Sequence, residues 1–315
     1  MQAYILRRLL LIVPTMVIVS LIVFATIRLI PGDVIDYMVS TRYFTADAAV
    51  ALREKLGLNL PAHVQYGRWI SGVIRGDFGE SLITSLPVAD TILQRLPRSL
   101  ELGALSLLFA LLIALPVGIY SGMNPESAGD QILRSIAILF ICIPSFWLGT
   151  MILILPAVWF RWSPPMHFVS FWKDPLANLT LFIIPAIVLG MWLSGVTMRL
   201  TRTMMLEVLR QDYVRTAWAK GLRERAVVLR HALKNALNPV LTMIGLQLPV
   251  LIGGAVVVEH IFNLPGIGSL VVTTLAQRDY TILSALNLLM AAFVLLVNVI
   301  IDISYAWLDP RIQYT

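Results

Sequence analysis

Few side chains in this sequence carry chemistry, and their neighbours exclude most of the usual uses. The four lysines, Lys55, Lys173, Lys220 and Lys234, are followed by Leu56, Asp174, Gly221 and Asn235. A Walker loop needs Lys followed by Ser or Thr to hold phosphate and magnesium, so no P-loop is present. The four histidines, His63, His167, His231 and His260, all fall outside the long apolar runs, which disfavours an intramembrane Ser-His or His-metal hydrolase. Cys142 is the single cysteine, so no internal disulfide can form. The densest charge lies in "RQDYVRTAWAKGLRERAVVLRHALKNALNP", residues 210–239. From just ahead of it, Val208, Leu209, Tyr213, Ala217 and Trp218 recur near one face at helical spacing, and Gly221 breaks the run. A second helix is expected through Leu229, Leu233 and Leu237 before Pro239. Helix, glycine turn, helix with an aromatic anchor suits docking to a protein partner. A basic loop that only fixes topology and touches anionic lipid is the plainer alternative.

The elements that must position this stretch are apolar. Hydrophobic residues make up 58% of the chain, charged residues 13%, and the mean hydropathy is +0.82, which no soluble surface can accommodate. Charge-free stretches long enough to cross a bilayer run over 9–27, 102–125, 135–160, 175–198, 235–258 and 280–301. A further run, 260–277, contains Pro265, Gly266 and Gly268 and reads as a partly buried or re-entrant loop. The first apolar stretch lacks a small-residue cleavage site and reads as an uncleaved span. The expected fold is an all-α polytopic membrane protein with six transmembrane helices.

Orientation follows from basic residues in short loops. Arg7, Arg8, Arg134, nine Lys/Arg between 199 and 234, and Arg311 fall on one side; Arg161, Lys173 and Arg278 fall on the other. Both termini and the 210–239 stretch are therefore expected in the cytoplasm. The chain divides into a first span (1–30), an extracytoplasmic segment (31–98) and a core of five spans (99–315) with a cytoplasmic loop at 200–238. Two helices are expected outside, one capped by Thr45 and one starting at Pro61. They are expected to form an extracytoplasmic helical cap.

The spans as drawn hold no Asp, Glu, Lys or Arg, which argues against a secondary transporter with buried ion-coupling residues. A passive channel is disfavoured only by the docking pattern. Gln247, Gly253 and Gly254, beside a kink at Pro249, are the candidates for a translocation path, since an amide and bare backbone can line a wet passage. Simple helix packing is the alternative. Gly118 and Gly122 could pack a neighbouring helix closely, and Asn298 and Asp302 share a helix face.

The residues resemble the membrane-spanning permease subunits of ABC importers, in the dipeptide and oligopeptide branch and its first-permease type. The general family pattern is Glu-Ala-Ala, three residues, Gly, nine residues and Ile-x-Leu-Pro. The corresponding positions here are Arg215-Thr216-Ala217, Gly221 and His231-Ala232-Leu233-Lys234, which depart from the general pattern in ways the branch shares. The branch form, "DYVRTA-x-AKGL" then "RHALxNAL-x-PV", is present, as are "IPGD", "GDFGES", "PVADTILQRLPRSLEL", "IPSFWLG", "RLTR", "GGAVVVEHIFNLPGIG" and "YAWLDPRIQY". Trp218 stands where peptide permeases often carry Arg, and residues 161–174 fit the branch poorly. The resemblance implies a non-enzymatic pore subunit in a bacterial or archaeal cell membrane, the inner membrane in a Gram-negative cell. It implies coupling to ATPase subunits through Asp212, Tyr213, Arg215, Thr216, Ala217, Trp218, Lys220 and Gly221. The implied partners are a second, homologous permease, two ATPase subunits, an extracytoplasmic substrate-binding protein and membrane lipid, with no nucleic acid. ATP and magnesium would be bound by the ATPases, with no cofactor or metal on this chain. Peptides are the expected cargo; relatives in the family carry nickel chelates, glutathione or oligosaccharides.

Overall fold

A computed structural model describes residues 2–29, 35, 36, 39, 46–55, 57–165 and 167–308. Among these, the backbone is helical wherever it is regular, apart from one isolated bridge between Glu80 and Pro87. The helices are α1 (Gln2–Leu29), α2 (Ala46–Lys55), α3 (Ala62–Ile74), α4 (Val88–Met123), α5 (Ala128–Cys142), α6 (Ser145–Phe160), α7 (Pro175–Leu209), α8 (Asp212–Ala219), α9 (Leu233–Ile261), α10 (Ile267–Ala276) and α11 (Tyr280–Leu308). A helical turn at Glu224–Ala226 and a π turn at Val227–Ala232 lead into α9. The IPGD motif at 30–33, the Thr45 cap, Arg311 and the Asp302 side chain lie outside the described residues.

Among the described residues, five helices are long and apolar enough to cross a membrane, or six crossings if a bent pair counts as one. That pair is the 135–160 stretch expected as one span: it is α5 and α6, bent by 93°. Proline explains the break. Ile143, ahead of Pro144, is forced out of the helical region to φ −79, ψ 118. Run 260–277 is not all loop either, because it contains the short apolar helix α10, with Ile267, Gly268, Leu270 and Thr274 buried. Helix α4 also begins earlier than the apolar run that follows it, taking in Asp90, Arg95 and Arg98. At about 1.5 Å per residue it outlasts the roughly 30 Å hydrocarbon core, so its charged first turns need not enter it.

The chain forms two compact units. The first comprises residues 1–98 and 265–300. In it α3 leans on α1, where the Tyr66 hydroxyl and Ser20 Oγ are 2.9 Å apart and Phe24 meets Tyr66 edge-on. Val88 and Ile92 bury against Ile267, Leu270, Ile282 and Leu286. Ser81 Oγ donates to Asp279 Oδ2 at 2.6 Å and accepts from the Thr84 N–H at 3.0 Å, pinning the 77–87 turn beside the start of α11. Burial pushes the Asp279 carboxyl above its ordinary pKa.

The second unit, 99–264 with 301–308, is organised around α7. Asp174 caps that helix by accepting from the Leu176 and Ala177 N–H groups at 3.1 and 3.0 Å, and Pro175 follows at its first position. Phe182, Val188, Leu189 and Leu193 of α7 form a core with Leu102, Leu251 and Val258. Gly118 and Gly122 let α4 lie directly on α7. A Cβ at either would sit 2.6 Å from the Cβ of Thr201 or Met205, so these two glycines are packing residues.

Candidate docking segment and passage

The charged stretch folds as a short amphipathic helix laid on its own chain. In α8, Val214 and Ala217 are buried against Val227, Val208 and Leu209. Ala217, grouped in the sequence with the exposed face of Tyr213 and Trp218, faces inward instead. The outward surface holds Asp212, Tyr213, Arg215, Thr216, Trp218 and Lys220. Tyr213 is held there by Asn235, whose Nδ2 donates to its hydroxyl at 2.8 Å. Thr216 Oγ1 is turned back onto the Asp212 carbonyl at 2.9 Å, so its hydroxyl serves the helix.

Gly221 ends α8 in the left-handed region at φ +73, and Leu222 N–H returns to the Ala217 carbonyl at 3.4 Å. No atom would lie within 4 Å of a Cβ at Gly221. Glycine is needed there for its backbone conformation alone. The chain then turns through the π segment, whose Val228 and Ala232 bury against Met205 and Ala236. Helix α9 does not stop at Pro239 as expected; it carries Pro239 and Pro249 within it and runs to Ile261.

The candidate passage residues separate on α9. Gly253 is exposed, with open space where a Cβ would be, on a stripe with Leu246, Val250 and Val257. Gly254 packs on α7, since a Cβ there would lie 2.9 Å from Leu189 Cδ1. Gln247 is half-buried, with Met243 Sδ 3.9 Å from its Nε2. Asn298, on α11, is exposed.

One polar centre was not singled out from the sequence. Asp130, fully buried at the start of α5, accepts from Arg202 Nε at 2.7 Å and Arg202 Nη2 at 2.8 Å. It also accepts from Ser121 Oγ and from the Glu126 N–H at 3.0 Å. Arg134 Nε lies 3.7 Å away. Each carboxylate oxygen is therefore hydrogen-bonded, which is what makes a buried charge tolerable. Among the described residues, no group of three or more His, Cys, Asp or Glu could hold a metal ion.

Comparison with known proteins places this architecture. Residues 114–314 match the family model described as "Binding-protein-dependent transport system inner membrane component", and residues 1–103 match its N-terminal companion. The chain is 39% identical over 318 residues to the oligopeptide transport system permease protein AppB of Bacillus subtilis, with 100% of both chains covered. It is 37% identical to the dipeptide transport system permease protein DppB of Escherichia coli K12, covering 100% of this chain and 99% of that one. It is also 37% identical to the glutathione transport system permease protein GsiC of Salmonella typhimurium, with 100% of both covered. Among solved structures, an amino acid ABC transporter shares the fold at a TM-score of 0.55 and 11% identity, over 69% of this chain and 94% of that one. The chain thus belongs to the inner-membrane components of binding-protein-dependent transport systems, as a non-enzymatic permease subunit of an ABC importer.

Proposed function

We propose that this chain forms one half of a peptide-conducting pore. The other half would be a second, homologous permease; two ATPase subunits bind ATP and magnesium on the cytoplasmic side, and an extracytoplasmic binding protein delivers the cargo. Six crossings with both termini in the cytoplasm fit the distribution of basic residues, with α5 and α6 together making the third. The observation that carries the reading is the segment 212–221: a short helix seated by Val214 and Ala217 and closed by Gly221 at φ +73. Its outer face offers Tyr213, Trp218, Arg215 and Lys220 to a partner's groove and rim. Peptide as cargo is supported by relatives named for oligopeptide and dipeptide transport. Glutathione, itself a tripeptide, is the second reading, favoured by a relative as similar as the dipeptide permease, at 37% identity. Gln247 and Gly253 are the proposed pore contacts, and Gly254 supports them through packing.

The test is Trp218→Asp beside Ala217→Asp. Trp218 is exposed, so its variant should reach the membrane at normal abundance yet lose most ATPase co-purification and peptide uptake. Ala217→Asp buries a charge and should lower abundance itself. Full uptake by Trp218→Asp would refute the docking role.

A further inference from the structure

The connection between α6 and α7, residues 161–165 and 167–174, together with the last turn of α6, belongs to neither the docking segment nor the passage. It is an ordered segment. Phe168 meets Phe182 edge-on with ring centroids 6.4 Å apart, at the margin of the main core. Asn178 Nδ2 donates to the Val169 carbonyl at 2.9 Å, and the Lys173 and Asp174 N–H groups both reach the Ser170 carbonyl. These inward ties leave the remaining large side chains facing out. Trp172 is 91% exposed and Phe160 75%, with Trp159, Trp162 and Phe171 exposed beside them.

Three observations select what covers this surface. It continues the apolar surface of α6, where Leu155, Val158 and Trp159 are exposed on a helix of the bent apolar pair that would make a sixth crossing. It sits at the start of α7, a 35-residue helix long enough to cross the bilayer, at the opposite end from the docking segment. Hydrocarbon therefore meets it from one side and water from the other. Its charges are also one-sided. Arg161 and Lys173 are exposed and without an acidic ion-pair partner in the segment; Asp174 is exposed too, but its Oδ1 accepts from the first turn of α7, so the segment keeps an excess of positive charge. Indole rings with apolar bodies and N–H edges, beside cations on long stems, match the headgroup zone with its phosphates.

We propose that this connection is an interfacial membrane anchor, with its tryptophans among the headgroups and acyl margins of phospholipid and Arg161 and Lys173 on lipid phosphates. It holds that end of α6 and α7 at a fixed depth. This rests on the membrane placement of α6 and α7 and not on the cargo or the ATPase contacts, so uptake is not its readout.

The experiment uses the assembled transporter in vesicles, in a Cys142→Ala background, with a nitroxide on Trp172→Cys. Collision with oxygen and with a water-soluble nickel chelate reads its depth. The oxygen-to-chelate ratio is expected to be several-fold above that of a label on Asn59→Cys, an exposed loop position. Adding phosphatidylglycerol to phosphatidylcholine should deepen the label, and Arg161→Gln with Lys173→Gln should abolish that shift. If Trp172→Cys fails to assemble with its partner subunits, Phe160→Cys supplies the same measurement. A ratio equal to that at Asn59→Cys overturns the proposal. Protection from the chelate only when binding protein is added overturns it too, and identifies a protein-docking surface instead.

Discussion

Asp130 with Arg202 and Asp212 with Arg215 are the same chemical pair in opposite surroundings. The first is a two-pronged contact at 2.7 and 2.8 Å, its carboxylate fully buried. The second is a single 3.6 Å approach within one helix, the Asp212 side chain 97% and the Arg215 side chain 72% exposed. Burial decides their uses. A charge removed from water must be fully satisfied and so fixes the helices that satisfy it, joining α5 to α7. A charge left in water contributes little to stability and stays available to another molecule.

The largest effect that would test this contrast is Asp130→Ala. It strands the Arg202 guanidinium and should cost about 3–5 kcal/mol, read as a fall in the melting temperature of the purified complex and in membrane abundance. Recovery in the double variant Asp130→Leu, Arg202→Met would show that the cost comes from an unpaired charge. A loss near that of an exposed pair would break the comparison. Next is Gly221→Val, which forces a branched side chain into the left-handed region at about 1–2 kcal/mol or more. Abundance should hold while ATPase co-purification falls, and Gly221→Asn should restore most of it because Asn tolerates that conformation. The smallest effect on stability is Arg215→Ala, expected within about 0.5 kcal/mol in a melting measurement. Any defect it causes should therefore appear in ATPase association; a large drop in melting temperature would place Arg215 with the buried pair.

The helical class and most crossings were legible because a bilayer forces charge-free runs of a minimum length, and those runs stand out in the sequence. What interrupts or extends a helix within such limits was harder to read. No charge falls between Arg134 and Arg161, so a single span was expected, although Pro144 carried the signal for the break. The second charge-free run begins only after Glu101, yet α4 starts at Val88 and runs through Asp90, Arg95 and Arg98. In the docking segment, helical spacing placed Ala217 equally well beside Tyr213, four residues back, or Val214, three back. Only the packing of Val208, Leu209 and Val227 chooses the second. Asp130 was the least legible. Its capping residue Ser127 is local, but its principal partner Arg202 lies 72 residues away on another helix. The closing residue of "RLTR" was visible as part of a motif without a visible reason.

The π turn at Val227–Ala232 sets the rotational phase of everything after it. A wider turn holds one more residue than an α-helix would use, and each residue advances the side chains by about 100° around the axis. Removing that extra residue would keep α9 helical and equally apolar, yet swing the stripe of Leu246, Val250, Gly253 and Val257 round by more than a quarter turn. Which face of α9 looks outward is thus fixed in part by the short segment that joins it to the docking helix, as the hour shown by a dial depends on how its hand was set on the spindle.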